Sequence, residues 1–228
     1  MTRIAVIGGG LMGHGIALTF ARAGHAVAVT DPVAETLASV PARVAESLGL
    51  LGADDGTIQA ALDRLTLCET VAQAVAGAEA VFEAAPEKLD LKQQLFAEIE
   101  AHAPATALLA SNTSVIQISK IMEGLKTRHR ALGTHWWNPP HMIPLVEVVK
   151  TPWTDPGVAD AMYSLLADAG KTPVMVEKGR ARLYRQPAAA CFVARGDLAC
   201  RKRHLLGGGR RRCRQGELRA ASRRSWPA

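Results

Sequence analysis

Two rhythms of apolar residues alternate along the chain. Short, nearly unbroken apolar runs occur at 4–7 (Ile4-Ala5-Val6-Ile7), 26–29, 80–82, 107–110, 145–149 and 172–176. A run of that length predicts a strand covered on both faces. Between the runs, apolar residues recur every three or four positions, as at Leu37, Val40, Val44 and Leu48. That spacing predicts helices up to Ala23, through the segment ending at Leu51, over 57–65, over 88–101 and over 155–169, with Pro32 in the first turn of the second. The alternation argues for an α/β fold, a doubly wound, mostly parallel Rossmann-type sheet. The helical pair on either side of the turn 52–56 interrupts the alternation and is expected to project from the sheet.

The join between the first strand and the first helix carries chemistry. Gly8, Gly10 and Gly13 stand in GxGxxG spacing, with Leu11 and Met12 between the last two. Gly8 permits a tight turn, Gly10 lets a pyrophosphate approach the backbone, and Gly13 allows close helix–strand packing. The helix N-terminus supplies free N–H groups and a positive dipole end to that pyrophosphate. Asp31 ends the second strand, where a carboxylate accepts hydrogen bonds from a ribose diol and repels a 2′-phosphate. NAD is therefore the expected cofactor, rather than NADP.

Composition changes this picture only near the C-terminus. The 228 residues are 48% hydrophobic and 21% charged, ordinary for a globular protein. No apolar run is long enough to span a bilayer, and no secretory signal is visible at the N-terminus. Cys68, Cys191, Cys200 and Cys213 form no CxxC pair, so no metal site is expected and a reduced, cytoplasmic protein is. The net charge of +6 hides a division. Residues 180–228 hold 14 Lys/Arg against 2 Asp/Glu, whereas residues 1–179 are acidic overall. The expected organisation is a folded body over 1–178 and a basic, disordered tail over 179–228.

Four separated motifs of the body resemble the NAD-binding domain of the 3-hydroxyacyl-CoA dehydrogenase family. They are the glycine loop, Glu83-Ala84-Ala85-Pro86-Glu87 with Lys92, Ser111-Asn112-Thr113-Ser114, and His135-Trp136-Trp137-Asn138-Pro139 followed by Leu145-Val146-Glu147-Val148. The resemblance implies an NAD-dependent oxidoreductase that takes a 3-hydroxyacyl substrate to its 3-oxo product. It implies His135 as general base, Glu147 as the carboxylate orienting it, Ser114 bonding the substrate oxygen and Asn138 orienting the reacting group. Glu87, Lys92 and Asn112 match positions that contact the cofactor, and Ser47 matches a substrate contact. An unpaired Glu147 inside an apolar strand would be costly to bury, which independently calls for a partner. His14, His25, His102, His129 and His141 lack such context and are expected to be structural or solvated.

Members that use acyl-CoA carry a lysine-rich stretch after the position of Ser47. This chain reads Leu48-Gly49-Leu50-Leu51-Gly52-Ala53-Asp54-Asp55 there, which offers phosphates little attraction. Asn138-Pro139-Pro140 with Ile143-Pro144-Leu145 also resembles relatives that oxidise small free hydroxy acids such as carnitine or gulonate. A 3-hydroxyacyl-CoA remains the first expectation and a free hydroxy acid the second. A catalytically dead NAD-binding fragment is the third.

In the family, a sequence close to Asp-Val-Pro-Gly-Phe-Ile-Gly-Asn-Arg opens a helical second domain that carries dimer contacts. Here the chain reads Gly179-Arg180-Ala181-Arg182-Leu183-Tyr184-Arg185-Gln186-Pro187. The permitted codons GGA CGT GCC CGG CTT TAT CGG CAA CCG, entered one base later, encode the family string. The tail is therefore expected to be an out-of-frame translation, leaving the family's homodimer compromised. The clusters Arg201-Lys202-Arg203 and Arg210-Arg211-Arg212 invite nucleic acid. They lack the zinc spacing or interleaved aromatics of a reader, so nucleic acid is not an expected partner. Sequencing the coding DNA across Val176 to Pro187 tests the slip. An open frame for a helical domain one base away is the expected result, and its absence overturns the idea.

Overall fold

The computed structural model describes residues 1–176; the basic tail and its frame lie outside the described residues. One eight-stranded sheet runs through them in the order β3-β2-β1-β4-β5-β6-β7-β8. The strands are β1 (Arg3–Ile7), β2 (Ala26–Thr30), β3 (Leu65–Cys68), β4 (Ala80–Glu83), β5 (Leu108–Ser111), β6 (Ala131–Trp136), β7 (Leu145–Val149) and β8 (Thr172–Val176). The first six pair in parallel, β7 runs antiparallel to β6, and β8 lies parallel to β7. The helices are α1 (Gly13–Arg22), α2 (Ala34–Leu50), α3 (Asp55–Leu62), α4 (Val71–Val75), α5 (Leu89–His102), α6 (Ile118–Met122) and α7 (Pro156–Asp168).

The apolar runs are explained by a sheet with a core on each face. Along β1, Ile4 and Val6 face a layer that includes Ile16, Phe20, Val44, Met162 and Leu166. Ala5 and Ile7 face the opposite layer, with Phe96, Ile99, Leu109 and Ile121. Alternate side chains go to opposite faces, so a strand with two buried faces must be apolar at every position. Phe20, Phe82 and Trp136 stack against one another in the first layer, with ring centroids 4.8–6.1 Å apart. The helical pair α2 and α3 stands off the sheet by packing on α1, burying Val40, Val44, Leu48 and Ala61.

Some elements differ from the sequence expectation. Leu65, expected at the end of a helix, opens β3, and α3 stops at Leu62. β3 is a four-residue edge strand whose central Thr66 and Leu67 are exposed, so it lacks the apolar signal of its neighbours. Pro32 precedes the helix rather than opening it, because Val33 is the extended N-cap residue of α2; the proline of that helix is Pro41. α4 and α6, each a little over one turn, carry too few residues for a periodic signal. α4 instead carries a capping box, in which the Thr70 hydroxyl accepts from the Gln73 backbone N–H and the Gln73 side-chain Oε1 accepts from the Thr70 N–H.

Two charges are buried at the carboxyl ends of the central strands. Glu83 ends β4 and Lys92 lies one turn into α5, both with no exposed side-chain surface. Lys92 Nζ donates to Glu83 Oε1 at 2.6 Å, and Ser111 Oγ donates to Glu83 Oε2 at 2.5 Å. Burial pushes the Glu83 carboxyl above the usual carboxylate range, opposed by the Lys92 ammonium and by hydrogen bonds from Ser111 and the Ala85 N–H. Removing one member of such a pair strands the other. Lys92→Met is therefore expected to destabilise the fold by about 3–5 kcal/mol at neutral pH. Loss of the ammonium raises the Glu83 carboxyl further, so the folded state takes up a proton that the unfolded state does not. The penalty then shrinks as pH falls toward the carboxylate range. Denaturant melts of wild type and Lys92→Met at several pH values check both claims.

Candidate active site

The site is built at the point where β1 has β2 on one side and β4 on the other. In doubly wound sheets, ligands lie in the crevice outside such a switch point. Gly8 leaves β1 with φ of +104°, and its N–H donates to the Thr30 carbonyl at 2.8 Å. A Cβ on Gly8 would sit 2.9 Å from the Ala84 carbonyl oxygen, and one on Gly13 only 1.7 Å from the Gly8 oxygen. Loop, β4 and α1 are therefore packed backbone to backbone, with no room for side chains. Gly10 by contrast has nothing within 4 Å of where its Cβ would stand. α1 begins without a side-chain cap, Leu11 is exposed and Met12 is half-buried. An uncapped helix end behind an open glycine is the cradle a pyrophosphate requires.

Asp31 closes the loop from β2. Its Oδ2 accepts from the Gly9 N–H at 2.8 Å and its Oδ1 from the Val33 N–H at 2.9 Å. Arg43, a residue the sequence reading did not single out, reaches from α2 to donate through Nη1 to the Gly9 carbonyl at 2.9 Å. Its Nη2 lies 2.8 Å from His14 Nδ1, and that nitrogen is also 2.9 Å from the Gly10 carbonyl. Nδ1 serves one of these partners at a time, according to its tautomer. Burial, aided by Arg43, holds the His14 imidazole below its ordinary pKa. His14 is thus structural, as expected, but it braces the glycine loop itself. No sequence signal announces Arg43, because 34 residues separate it from Gly9.

The second half of the site lies across β5, β6 and β7. Antiparallel pairing sets His135 directly opposite Glu147. Directly opposed residues share a face, and here His135 Nδ1 meets Glu147 Oε2 at 2.9 Å with both side chains buried. A carboxylate only accepts, so Nδ1 is the ring nitrogen that donates to Glu147, and Nε2 is the one that faces Ser114. Ser114 Oγ lies 3.2 Å from that Nε2 and Ser114 is exposed, so the pair opens outward at the serine. The Trp137 ring lies beside His135 with centroids 5.5 Å apart, and Asn138 follows at the surface.

The returning loop between β6 and β7 is held from below. Lys171 donates through Nζ to the carbonyls of Pro140 and Ile143 and lies 5.5 Å from the Trp136 ring centroid. Burial, with the nearby Arg22, pushes the Lys171 ammonium down to about 8. A cation held there costs desolvation, and its contacts fix the loop that carries Asn138.

Several residues expected from the resemblance occupy other positions than open contact. The Asn112 Oδ1 accepts from the Trp136 N–H at 3.1 Å and so ties the ends of β5 and β6 together. Glu87 turns its carboxylate onto Thr113 and Ser114. Lys92 is wholly buried with Glu83. Ser47 sits on the buried face of α2 with Val44 and Leu48, 8% exposed.

Comparison with known proteins accords with this arrangement. Residues 3–179 match the family described as 3-hydroxyacyl-CoA dehydrogenase, NAD binding domain. L-carnitine dehydrogenase of Streptomyces griseus is 37% identical over 179 residues, covering 77% of this chain and 52% of that protein. Mitochondrial hydroxyacyl-coenzyme A dehydrogenase of Rattus norvegicus is 35% identical over 180 residues, covering 75% and 57%. The crystal structure of 3-hydroxybutyryl-CoA dehydrogenase from Escherichia coli K12 superposes with a TM-score of 0.72 at 36% identity, covering 77% of this chain and 38% of that one. The chain thus spans about half the length of the curated relatives it matches. No described helix is long and apolar enough to cross a membrane. A glycine cradle at the sheet's switch point, a buried His135–Glu147 pair and a family match over 3–179 together identify the chain as a member of the 3-hydroxyacyl-CoA dehydrogenase family, matched through its NAD-binding domain.

Proposed function

We propose that this chain oxidises the secondary alcohol of a 3-hydroxyacyl substrate with NAD, and that His135 is the base. The observation that carries the reading is the buried pairing of His135 with Glu147, with Nε2 turned toward Ser114. When bound, NAD supplies the hydride acceptor. Every other task falls to side chains. The Gly8–Gly13 cradle and the α1 N-terminus would hold its pyrophosphate, and Asp31 would take the ribose diol. His135 Nε2 accepts the hydroxyl proton as the carbinol carbon gives up its hydride. The resulting imidazolium keeps its Nδ1–H on Glu147, whose charge stabilises it. Ser114 donates to the same substrate oxygen as it becomes a carbonyl, and Asn138 at the mouth orients the reacting group.

For the substrate, a 3-hydroxyacyl-CoA comes first, in keeping with the family's description. A small free hydroxy acid is the second reading, favoured by the turn that follows α2. Asp54 at the end of that turn and Asp55 at the start of α3 stand where phosphates would need cations, and the Asp54 carboxylate caps α3 by accepting from the Thr57 N–H. The relative from Streptomyces griseus is named for carnitine, which has no phosphate.

Calorimetric titration of the full chain with NAD and NADP, followed by turnover assays on 3-hydroxybutyryl-CoA and L-carnitine, tests the proposal. NAD is expected to bind more tightly than NADP because of Asp31. His135→Ala is expected to leave NAD affinity within about twofold while lowering turnover by about 10²–10⁴-fold, the range for losing a general base. Unchanged turnover in that variant sinks the role of His135. Absence of NAD binding sinks the proposal as a whole.

A further inference from the structure

We infer that Arg43 is a positioning residue for the cofactor, holding the glycine loop so that its N–H groups are aimed before a pyrophosphate arrives. The inference rests on the reading of the Gly8–Gly13 loop as the NAD cradle and names what keeps that loop in shape. Gly9 and Gly10 are adjacent glycines, so no Cβ resists rotation of the peptide group between them. A ligand that had to order such a peptide would lose affinity to the ordering. The structure holds it from outside instead. The Gly9 N–H donates to Asp31 Oδ2 at 2.8 Å, and the Gly9 carbonyl accepts from Arg43 Nη1 at 2.9 Å. One residue of the loop is thus gripped by an acid just beyond β2 and by a cation from α2.

Direction follows from the planarity of the peptide. The peptides of the loop are trans, and in a trans peptide the N–H points opposite to the C=O. With the Gly9 carbonyl turned to Arg43, the Gly10 N–H therefore faces away from the guanidinium. The Gly10 carbonyl accepts from the His14 backbone N–H at 3.2 Å, which turns the Leu11 N–H away from the body of α1. The N–H groups of Gly10, Leu11 and Met12 have no described partner, so successive donors are left for an anion. Arg43 reaches the loop because α2 lies close to it. A Cβ on Gly9 would come 2.9 Å from Val40 Cγ2, and Arg43 lies one turn further along the same helix. Its Nη2, 2.8 Å from His14 Nδ1, is held in turn from α1. Burial, aided by Arg43, favours the neutral His14 ring, which can accept that bond. The fork of one guanidinium thereby ties α2 to the loop and to the helix that follows it.

Calorimetry with NAD, ADP-ribose and adenosine on the full chain, as wild type, Arg43→Met and Arg43→Lys, tests the inference. Adenosine keeps the ribose diol for Asp31 but has no phosphate. Arg43→Met is expected to weaken NAD and ADP-ribose by about ten- to a hundredfold, the scale of a lost hydrogen bond to a charged group, and adenosine by less than about twofold. The loss is expected to be the same at low and high salt, because the grip is on a neutral carbonyl. Direct attraction of the cation to a pyrophosphate would instead be screened. Arg43→Lys, with one donor group in place of a fork, is expected to recover part of the affinity. Backbone amide NMR relaxation of the ligand-free chain gives a readout that needs no cofactor. The Gly10 and Leu11 amides are expected to gain fast motion in Arg43→Met. Should that variant fail to fold, Arg43→Lys carries the same comparison with a smaller expected effect. Unchanged NAD affinity, an equal loss for adenosine, a loss that fades in high salt, or amides as rigid as in wild type overturns the inference. If wild type binds no NAD, the cofactor reading fails, while the relaxation measurement still decides whether Arg43 holds the loop.

Discussion

The site depends on burying two carboxylates in a largely apolar sheet. Glu83 and Glu147 are almost wholly removed from solvent, and neither could be buried alone at tolerable cost. Each finds a different solution. Glu83 takes a full cation, Lys92, and hydrogen bonds from Ser111 and Ala85, so the ends of β4, β5 and α5 are locked together. Glu147 takes His135, a partner whose charge is optional. The first arrangement is static and supports. The second joins β6 to β7 and leaves the other imidazole nitrogen facing the Ser114 hydroxyl. Strand register sets Glu83 beside Ser111 and Glu147 beside His135.

Much of this could be read from the residues alone, for physical reasons that differ between elements. β1, β2, β4 and β5 are covered on both faces, so their apolar runs cannot be mistaken for exposed segments. The glycine loop was legible because its conformation excludes side chains: a Cβ at position 13 would meet the Gly8 oxygen. Glu147, an acid inside an apolar strand, called for a partner on physical grounds, but that the partner is His135 came from the family resemblance. The strand β6 and its antiparallel return into β7, which set the two opposite each other, were not read from the residues. β3 left no such mark, because an edge strand with an exposed centre has no reason to be apolar. α4 left one that went unread, the Thr70–Gln73 capping box.

What the sequence could not express was the direction in which polar side chains turn. Arg43 and Glu87 look like ordinary surface charges in a list of residues. One braces the Gly9 carbonyl and the other grips the Ser114 turn, through contacts that form only once strands distant in sequence are adjacent. Lys92, which the resemblance sets among the cofactor contacts, has no exposed surface, and its ammonium donates to Glu83 and to the Ala85 carbonyl. In each case a charged group supports backbone that supports chemistry, a role with no sequence spacing of its own.

This layering bears on how substrate preference can change within one scaffold. The cradle, the buried ion pair, the serine turn and the His135–Glu147 pair all lie between residues 8 and 147, on strands fixed by register and by buried charge. None of their described contacts involves the turn after α2, where the Asp54 carboxylate caps α3. The charge of that turn and the geometry of the His135–Glu147 pair are therefore set by separate contacts, so a change in one leaves the other in place.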